Sequence, residues 1–232
     1  AETSELRASF SSGDQRVVLI ELYTSEGCSS CPPADRWLSK LKDDPRLWKD
    51  FSPIALHVDY WDYIGWRDRF ARSEYSDRQR QYAVEGGVRA VYTPGMFRDG
   101  KEWRDWRFDG PPQSEEPGAG NLAVHVSDQD IAVQFTPDHD TDADLIAHVA
   151  LLGMNLETRV REGENRGRIL RHDFVALGVA STPLETVADG YRAMMNLPDV
   201  SAFSPDLALV VWVSRGGKQA PIQSVGGYLP QL

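Results

Sequence analysis

Apolar positions in this chain keep two rhythms, one for each half. In the first half, Val17-Val-Leu-Ile-Glu-Leu-Tyr-Thr24 is a near-continuous apolar run that ends in a Ser-Glu-Gly turn. That pattern predicts a central strand covered on both faces. Ala34, Trp37, Leu38 and Leu41 then recur at i, i+3, i+4 and i+7, one face of a helix that Asp43-Asp44-Pro45 ends. Ile54-Ala-Leu-His-Val58 predicts a second buried strand, and a helix follows around 74–84 with Gly86-Gly87 to terminate it. Val88 to Tyr92 leads into Thr93-Pro94, a short strand, the Asp99-Gly100 hairpin signal and a further strand through Trp103 and Trp106. Strand, helix, strand, helix and hairpin read as an α/β arrangement.

The rhythm changes after Gly110-Pro-Pro-Gln-Ser-Glu-Glu-Pro-Gly-Ala-Gly120, a Pro/Gly/acidic stretch that reads as a linker or long exposed loop. Beyond it Leu122, Val124 and Val126 alternate with polar or small residues, as do Ile131, Val133 and Phe135. Further strands are expected over 145–152, 156–161, 168–177 and 207–213, with Gly163-Glu-Asn-Arg-Gly167 as a turn between two of them. The expected organisation is an α/β domain over 1–110, a linker over 111–120 and a mainly antiparallel β domain over 121–232.

Composition narrows the partners. The 232 residues carry a net charge of −10 with a pI near 5.0, which argues against nucleic acid or an anionic membrane surface. The longest apolar run, Asp144 to Gly153, falls short of the roughly 18 residues of a spanning helix. Ala1-Glu2-Thr3 has the look of a chain that begins after signal-peptide cleavage, as would a trimmed chain.

The two cysteines of the chain stand together as Cys28-Ser-Ser-Cys31 at the end of the first apolar run. Thiols at this spacing can switch between dithiol and disulfide. As a staple the bond would do little, because disulfide stabilisation grows with the loop it closes. An inert local crosslink is the alternative. No second Cys-x-x-Cys or His-x3-5-His pair supplies the other ligands zinc needs, so no metal is expected, and a cysteine pair that itself carries two electrons needs no dissociable cofactor.

The order apolar strand, Cys-x-x-Cys, amphipathic helix and later Thr-Pro before a hairpin resembles the thioredoxin fold. Ile20 to Asp35, His57 to Trp66, Val91-Tyr-Thr-Pro94 and Gly163 to Gly167 are similar to a family of thioredoxin-like secreted bacterial proteins known mainly as a domain of unknown function. The resemblance implies a thioredoxin-like domain with a β-rich extension, and a periplasmic or secreted location. It implies that Cys28 is the exposed nucleophile and Cys31 the buried resolving thiol. It also implies that Pro94 is a cis-proline which, with Thr93, docks the substrate chain. Read from the dipeptide alone, Thr93-Pro94 is as compatible with an ordinary trans turn.

A helix N-terminus moves a thiol by about one pKa unit at most, so hydrogen bonds must supply any larger activation. Glu26 is expected to oppose the thiolate, and Pro32-Pro33 to delay the helix start. A moderately acidic Cys28 follows. Glu21 on the entering strand is a candidate acceptor for the Cys31 proton, or else points to solvent or pairs with an arginine. Tyr60, Trp61, Tyr63 and Trp66 pack around a loop or wall a substrate groove. His57 reads as a hydrogen-bonded core histidine. His125, His139, His148 and His172 lack ligand spacing. Arg159, Arg161, Arg166, Arg168 and Arg171 read as a solvated, salt-bridged face or an anion site.

These readings converge on a thiol-disulfide oxidoreductase acting on protein or peptide thiols. The rivals are a non-catalytic binding or scaffold protein with a structural disulfide, and a Cu(I)-handling thiol protein. The sequence leaves redox direction, oligomeric state and the role of the β-rich half open.

Overall fold

The computed structural model describes residues 7–86, 88–114, 119–139, 143–199 and 206–230. The expected Gly87 and the middle of the 111–120 segment lie outside them. Of the described residues 45% are in strands and 15% in helices. The strands of the first half are β1 (Arg7–Ser11), β2 (Val18–Thr24), β3 (Phe51–His57), β4 (Gly95–Arg98) and β5 (Lys101–Glu102). Those of the second half are β6 (Asn121–Ser127), β7 (Asp130–Thr136), β8 (Leu145–Met154), β9 (Leu156–Arg159), β10 (Ile169–His172), β11 (Val175–Pro183), β12 (Glu185–Val187), β13 (Gly190–Asn196), β14 (Asp206–Arg215) and β15 (Pro221–Tyr228). Helices are α1 (Pro32–Lys40), α2 (Ser73–Val84) and the short α3 (Trp106–Asp109).

The described strands form three sheets. One has eight strands in the order β15-β14-β8-β11-β3-β2-β4-β5, one has five in the order β1-β6-β7-β13-β12, and β9 and β10 form a two-stranded ribbon. This overturns the expected fold class, an α/β thioredoxin-like domain followed by a mainly antiparallel β domain. The protein is mostly β, and its large mixed sheet takes strands from both sides of the 111–120 segment. The reason lies in β8 and β14. Ala147, Val149 and Leu151 of β8 face one core, while Ala150, Leu152 and Met154 face the other. In β14, Leu209, Val211 and Val213 alternate with Ala208, Val210 and Trp212 in the same way. A strand apolar on both faces must be covered on both. These two strands therefore sit inside the large sheet, with the five-stranded sheet over one face and the α1/α2 core on the other.

The local elements of the first half form where the pattern puts them. β2 and β3 pair in parallel across the α1 crossover, from Val18–Phe51 to Thr24–His57. β4 runs antiparallel to β2 and turns through Asp99-Gly100, where φ is +48° and +77°. A Cβ on Gly100 would lie 2.7 Å from the Ala220 Cβ, so the turn and the neighbouring chain both require glycine there. The strand expected through Trp103 and Trp106 stops at Glu102. Both indoles instead pack edge-on against Trp37 of α1, at centroid separations of 5.5 and 5.4 Å. The stretch expected as one strand over 168–177 is broken at Asp173-Phe174 into β10 and β11, with Phe174 at a φ of +58°. Among the described residues, no helix is long and apolar enough to cross a membrane.

Candidate functional site

β2 delivers the chain to a tight loop, residues 25–31, at the N-terminus of α1. The Cys28 amide donates to the Ser25 carbonyl at 3.2 Å and the Cys31 amide to the Cys28 carbonyl at 3.3 Å. The helix is not delayed: Cys31 is its N-cap with helical angles, and Pro32 and Pro33 occupy its first two positions. Proline is pre-organised for the first turn, where its missing N–H costs nothing. Gly27 allows close approach from below, because a Cβ there would stand 3.1 Å from the Trp61 Cβ.

Cys28 and Cys31 are both free thiols. Cys28 is 1% exposed, so it is not the open nucleophile that the resemblance implied. Its cover is thin: Sγ lies 3.3 Å from the hydroxyl of Ser30, and Ser29 and Ser30 face solvent. The Thr93 hydroxyl stands beside it, and Thr93 and Pro94 are partly exposed and joined by a cis peptide bond. Trp61 Nε1 donates to Thr93 Oγ1 at 2.8 Å and holds that hydroxyl at the dithiol.

The two sulfurs divide the charge. A hydrogen bond from the Cys31 thiol does most to lower Cys28, to about 6, against the opposing effect of burial. The Ser30 and Thr93 hydroxyls and the Ser30 amide add to it. Burial drives Cys31 far above the ordinary thiol range, with its bond to Cys28 and the Asp35 carboxylate acting in the same direction. The outcome is a thiolate at Cys28 and a proton on Cys31. Glu26, expected to oppose this, is turned away: its carboxylate accepts from Trp66 Nε1 at 2.8 Å and faces His172 Nε2 at 3.4 Å.

Glu21 is the site residue that the structure removes from the dithiol. Its carboxylate is buried on the α2 side of β2, where it takes Arg78 Nε at 2.7 Å, Tyr82 Oη at 2.6 Å and Tyr23 Oη at 3.0 Å. Of the alternatives open in the sequence, the arginine pair is the one found. The carboxylate near Cys31 is Asp35, one helical turn on, which accepts from Thr24 Oγ1 at 2.8 Å and is raised by burial.

Beneath the loop lies a group of buried charges that spacing along the chain did not join. His57 Nδ1 is 2.6 Å from Asp68 Oδ2, with both side chains fully buried. Burial opposes the charge on His57, but Asp68 outweighs it and carries the imidazole up to about 9. His172 of β10 stands edge-on to His57 with ring centroids 5.0 Å apart. Asp68 also accepts from the Glu26 and Phe70 amides, both at 2.9 Å, tying this group to the dithiol loop.

The turn between β9 and β10 closes over the same loop. Asn165 is buried, and its side-chain amide donates to the carbonyls of Glu26 at 2.8 Å and Cys28 at 2.9 Å. The Ser29 amide donates to the Glu164 carboxylate at 3.0 Å. The Gly163–Gly167 block was visible as a turn, and its resemblance to a family pattern was the available hint of this second role.

Of the aromatic cluster, Tyr60, Trp61 and Trp66 pack and hydrogen-bond around the loop, whereas Tyr63 is 83% exposed. In the arginine group, Arg171 pairs with Glu157 at 3.2 Å and Arg168 donates to Asn165 Oδ1 at 3.0 Å. Among the described residues, no three His, Cys, Asp or Glu side chains form a group that could hold a metal ion.

Fold and site together define a mixed-sheet protein with a proton-sharing dithiol at the head of a strand–helix–strand unit. The chain belongs to the family described as protein of unknown function (DUF1223), whose match spans residues 19–214. No curated protein matches it. It is similar in fold to a protein from Agrobacterium tumefaciens whose crystal structure came from the Northeast Structural Genomics Consortium. That likeness has a TM-score of 0.63 at 22% identity and covers 91% of this chain and 94% of that one. It is also similar to HBP35 of Porphyromonas gingivalis, with a TM-score of 0.57 at 12% identity, over 93% of this chain and 76% of that one.

Proposed function

We propose that this chain is a thiol-disulfide exchange protein acting on protein or peptide thiols, with Cys28 as nucleophile and Cys31 as resolving thiol. The observation that carries the reading is the unequal setting of the two thiols: Cys31 is sealed at the head of α1, while the Cys28 sulfur lies under a thin cover, 3.3 Å from the hydroxyl of the exposed Ser30, and hydrogen bonds lower the one as burial raises the other. A structural crosslink has no use for that asymmetry, whereas exchange requires a thiolate that attacks and a held thiol that follows. In reduction of a substrate disulfide, the Cys28 thiolate forms a bond to one substrate sulfur and the other leaves as a thiolate. Cys31 then loses its proton and attacks the Cys28 sulfur, and the second substrate sulfur leaves with its electron pair. Two electrons pass to the substrate, and oxidation of a dithiol is the reverse.

The partly exposed Thr93-Pro94 edge beside the sulfur suits the docking of an extended peptide. Ser30 and Thr93 must shift for a substrate sulfur to reach Cys28, given their contacts with it. The proposal rests on the dithiol, not on membership of the thioredoxin superfamily. A periplasmic or secreted location is part of it, resting on the sequence resemblance, and no dissociable cofactor is invoked.

The test is trapping with Cys31→Ser in cells that produce the protein. Covalent adducts through Cys28, released by reductant and absent from Cys28→Ser, are expected. Absence of every adduct, with Cys28→Ser retaining a binding partner, would move the assignment to a binding module.

A further inference from the structure

Cys31 has a neighbourhood on its helix side as well as towards Cys28. Asp35 lies four residues on, along the same face of α1, and its charge acts on the Cys31 thiol. Asp35 is nearly buried, yet together with His172 it borders a cavity of about 370 Å³ whose walls include Pro32, Arg36, Leu170 and Arg171. Neither Cys28, Thr93 nor Pro94 borders this cavity, so it is a different opening from the substrate edge.

The groups that face Asp35 come from five parts of the chain. They are Thr24 of β2, His57 of β3, Asp68 of the following loop, His172 of β10, and Cys31 with the exposed Arg36 on its own helix. Glu26 reaches His172 from the dithiol loop. Hydrogen-bonding capacity is left open in this group: His57 Nε2 and His172 Nδ1 are buried with no hydrogen-bond partner, and His172 Nε2 has only Glu26 Oε1 at 3.4 Å. Buried polar atoms without partners are costly, and two of them on adjoining imidazoles call for an explanation.

We propose that Asp35 takes the proton of Cys31 when Cys31 resolves a mixed disulfide, and returns it to solvent through the cavity that Asp35 borders. This rests on the exchange reading above. The Asp35 carboxylate accepts the Cys31 proton as the new sulfur–sulfur bond to Cys28 forms. The Cys28–substrate bond breaks, and its electron pair leaves on the substrate sulfur, which takes a proton from solvent. Asp35 returns to the carboxylate by releasing its proton to solvent in the cavity that it borders. No electron acceptor beyond the substrate disulfide is used. Burial, which raises Asp35, makes its carboxylate a better proton acceptor than an exposed aspartate.

The experiment uses the reduced full chain and the aromatic disulfide 5,5′-dithiobis(2-nitrobenzoate). Attack by Cys28 releases the first coloured thiolate and resolution by Cys31 releases the second, so the two steps are read separately. Asp35→Ala is expected to slow the second release at least about tenfold at neutral pH, with the deficit shrinking as pH rises. The first release should change less than about threefold. Formate, small enough for the cavity, should restore the second release in Asp35→Ala, which a merely structural loss would not allow. Asp35→Asn, which keeps the size of the side chain, is expected to show the same selective slowing should Asp35→Ala fail to fold. An unchanged second release and pH profile in both variants would overturn the proposal while leaving exchange intact. No mixed disulfide in the wild-type protein would remove the exchange reading, and this inference with it.

Discussion

Asn165 donates both hydrogens of its side-chain amide into the dithiol loop, one of them to the Cys28 carbonyl 137 positions earlier in the chain. It is fully buried, so neither carbonyl has water to fall back on. Asn165→Ala leaves the Glu26 carbonyl unpaired and the Cys28 carbonyl with the Cys31 amide alone, and should cost about 1–3 kcal/mol. Urea denaturation of the reduced protein checks the loss. A variant as stable as the wild type would show that the loop holds its shape without the clasp.

Cys28 should be alkylated by iodoacetamide with a midpoint near pH 6, following its lowered thiol. Thr93→Val removes one of the hydroxyls that stabilise the thiolate and should move the midpoint upward. Cys31→Ser should move it further if serine replaces the thiol donor poorly, since the Cys31 hydrogen bond is the largest cause of the lowering. Alkylation with an ordinary midpoint near 8.5 would contradict the charge division.

The buried His57–Asp68 pair sets a pH dependence of stability. The imidazole is raised in the folded protein to about 9, above its ordinary value near 6.5, so the folded state binds the proton more tightly. That contribution is fully present below about pH 6.5 and is lost as pH rises through about 9. In a Cys28→Ser/Cys31→Ser background, which removes thiol titration, stability should fall over this window. His57→Gln should flatten the fall. Asp68→Asn strands the imidazole without its partner and should cost roughly 3–5 kcal/mol near neutral pH. Equal slopes with and without His57 would assign the pH dependence elsewhere.

Glu21→Gln separates structural from chemical roles. Its carboxylate is held by Arg78 at 2.7 Å in the core under α2. Breaking that pair should cost roughly 3–5 kcal/mol in denaturation, while the second release in the two-step disulfide assay keeps its wild-type rate and pH profile. A selective slowing of that step would return the proton-acceptor role to Glu21.

The sequence showed those parts of the molecule that neighbouring residues decide. β2, α1 and the Asp99-Gly100 hairpin follow from apolar spacing and turn chemistry within a few positions of each other. Cys28 and Cys31 were visible for the same reason. What stayed hidden depends on pairings across long separations. Glu21 could be seen as an acid on a strand, but Arg78, 57 positions away, decides what it does. His172 looked isolated until β10 laid it against His57. The fold class failed at β8 and β14, whose double apolar faces are evident in the sequence while the layers that cover them are not.

Within the eight-stranded sheet, β3 and β11 meet through one registered pair, Ala55 with Val175, reinforced by the Ala55 amide bonded to the Phe174 carbonyl at 2.8 Å. Every other junction in that sheet has at least two rungs. The seam is therefore the narrowest place in the sheet, and stiffness across it comes from what bridges it outside the ladder. The amide of Asn165 and the carboxylate of Glu164 are such bridges, and they land on the loop that carries Cys28. Strands on the two sides of the seam are thereby coupled mechanically at the dithiol loop.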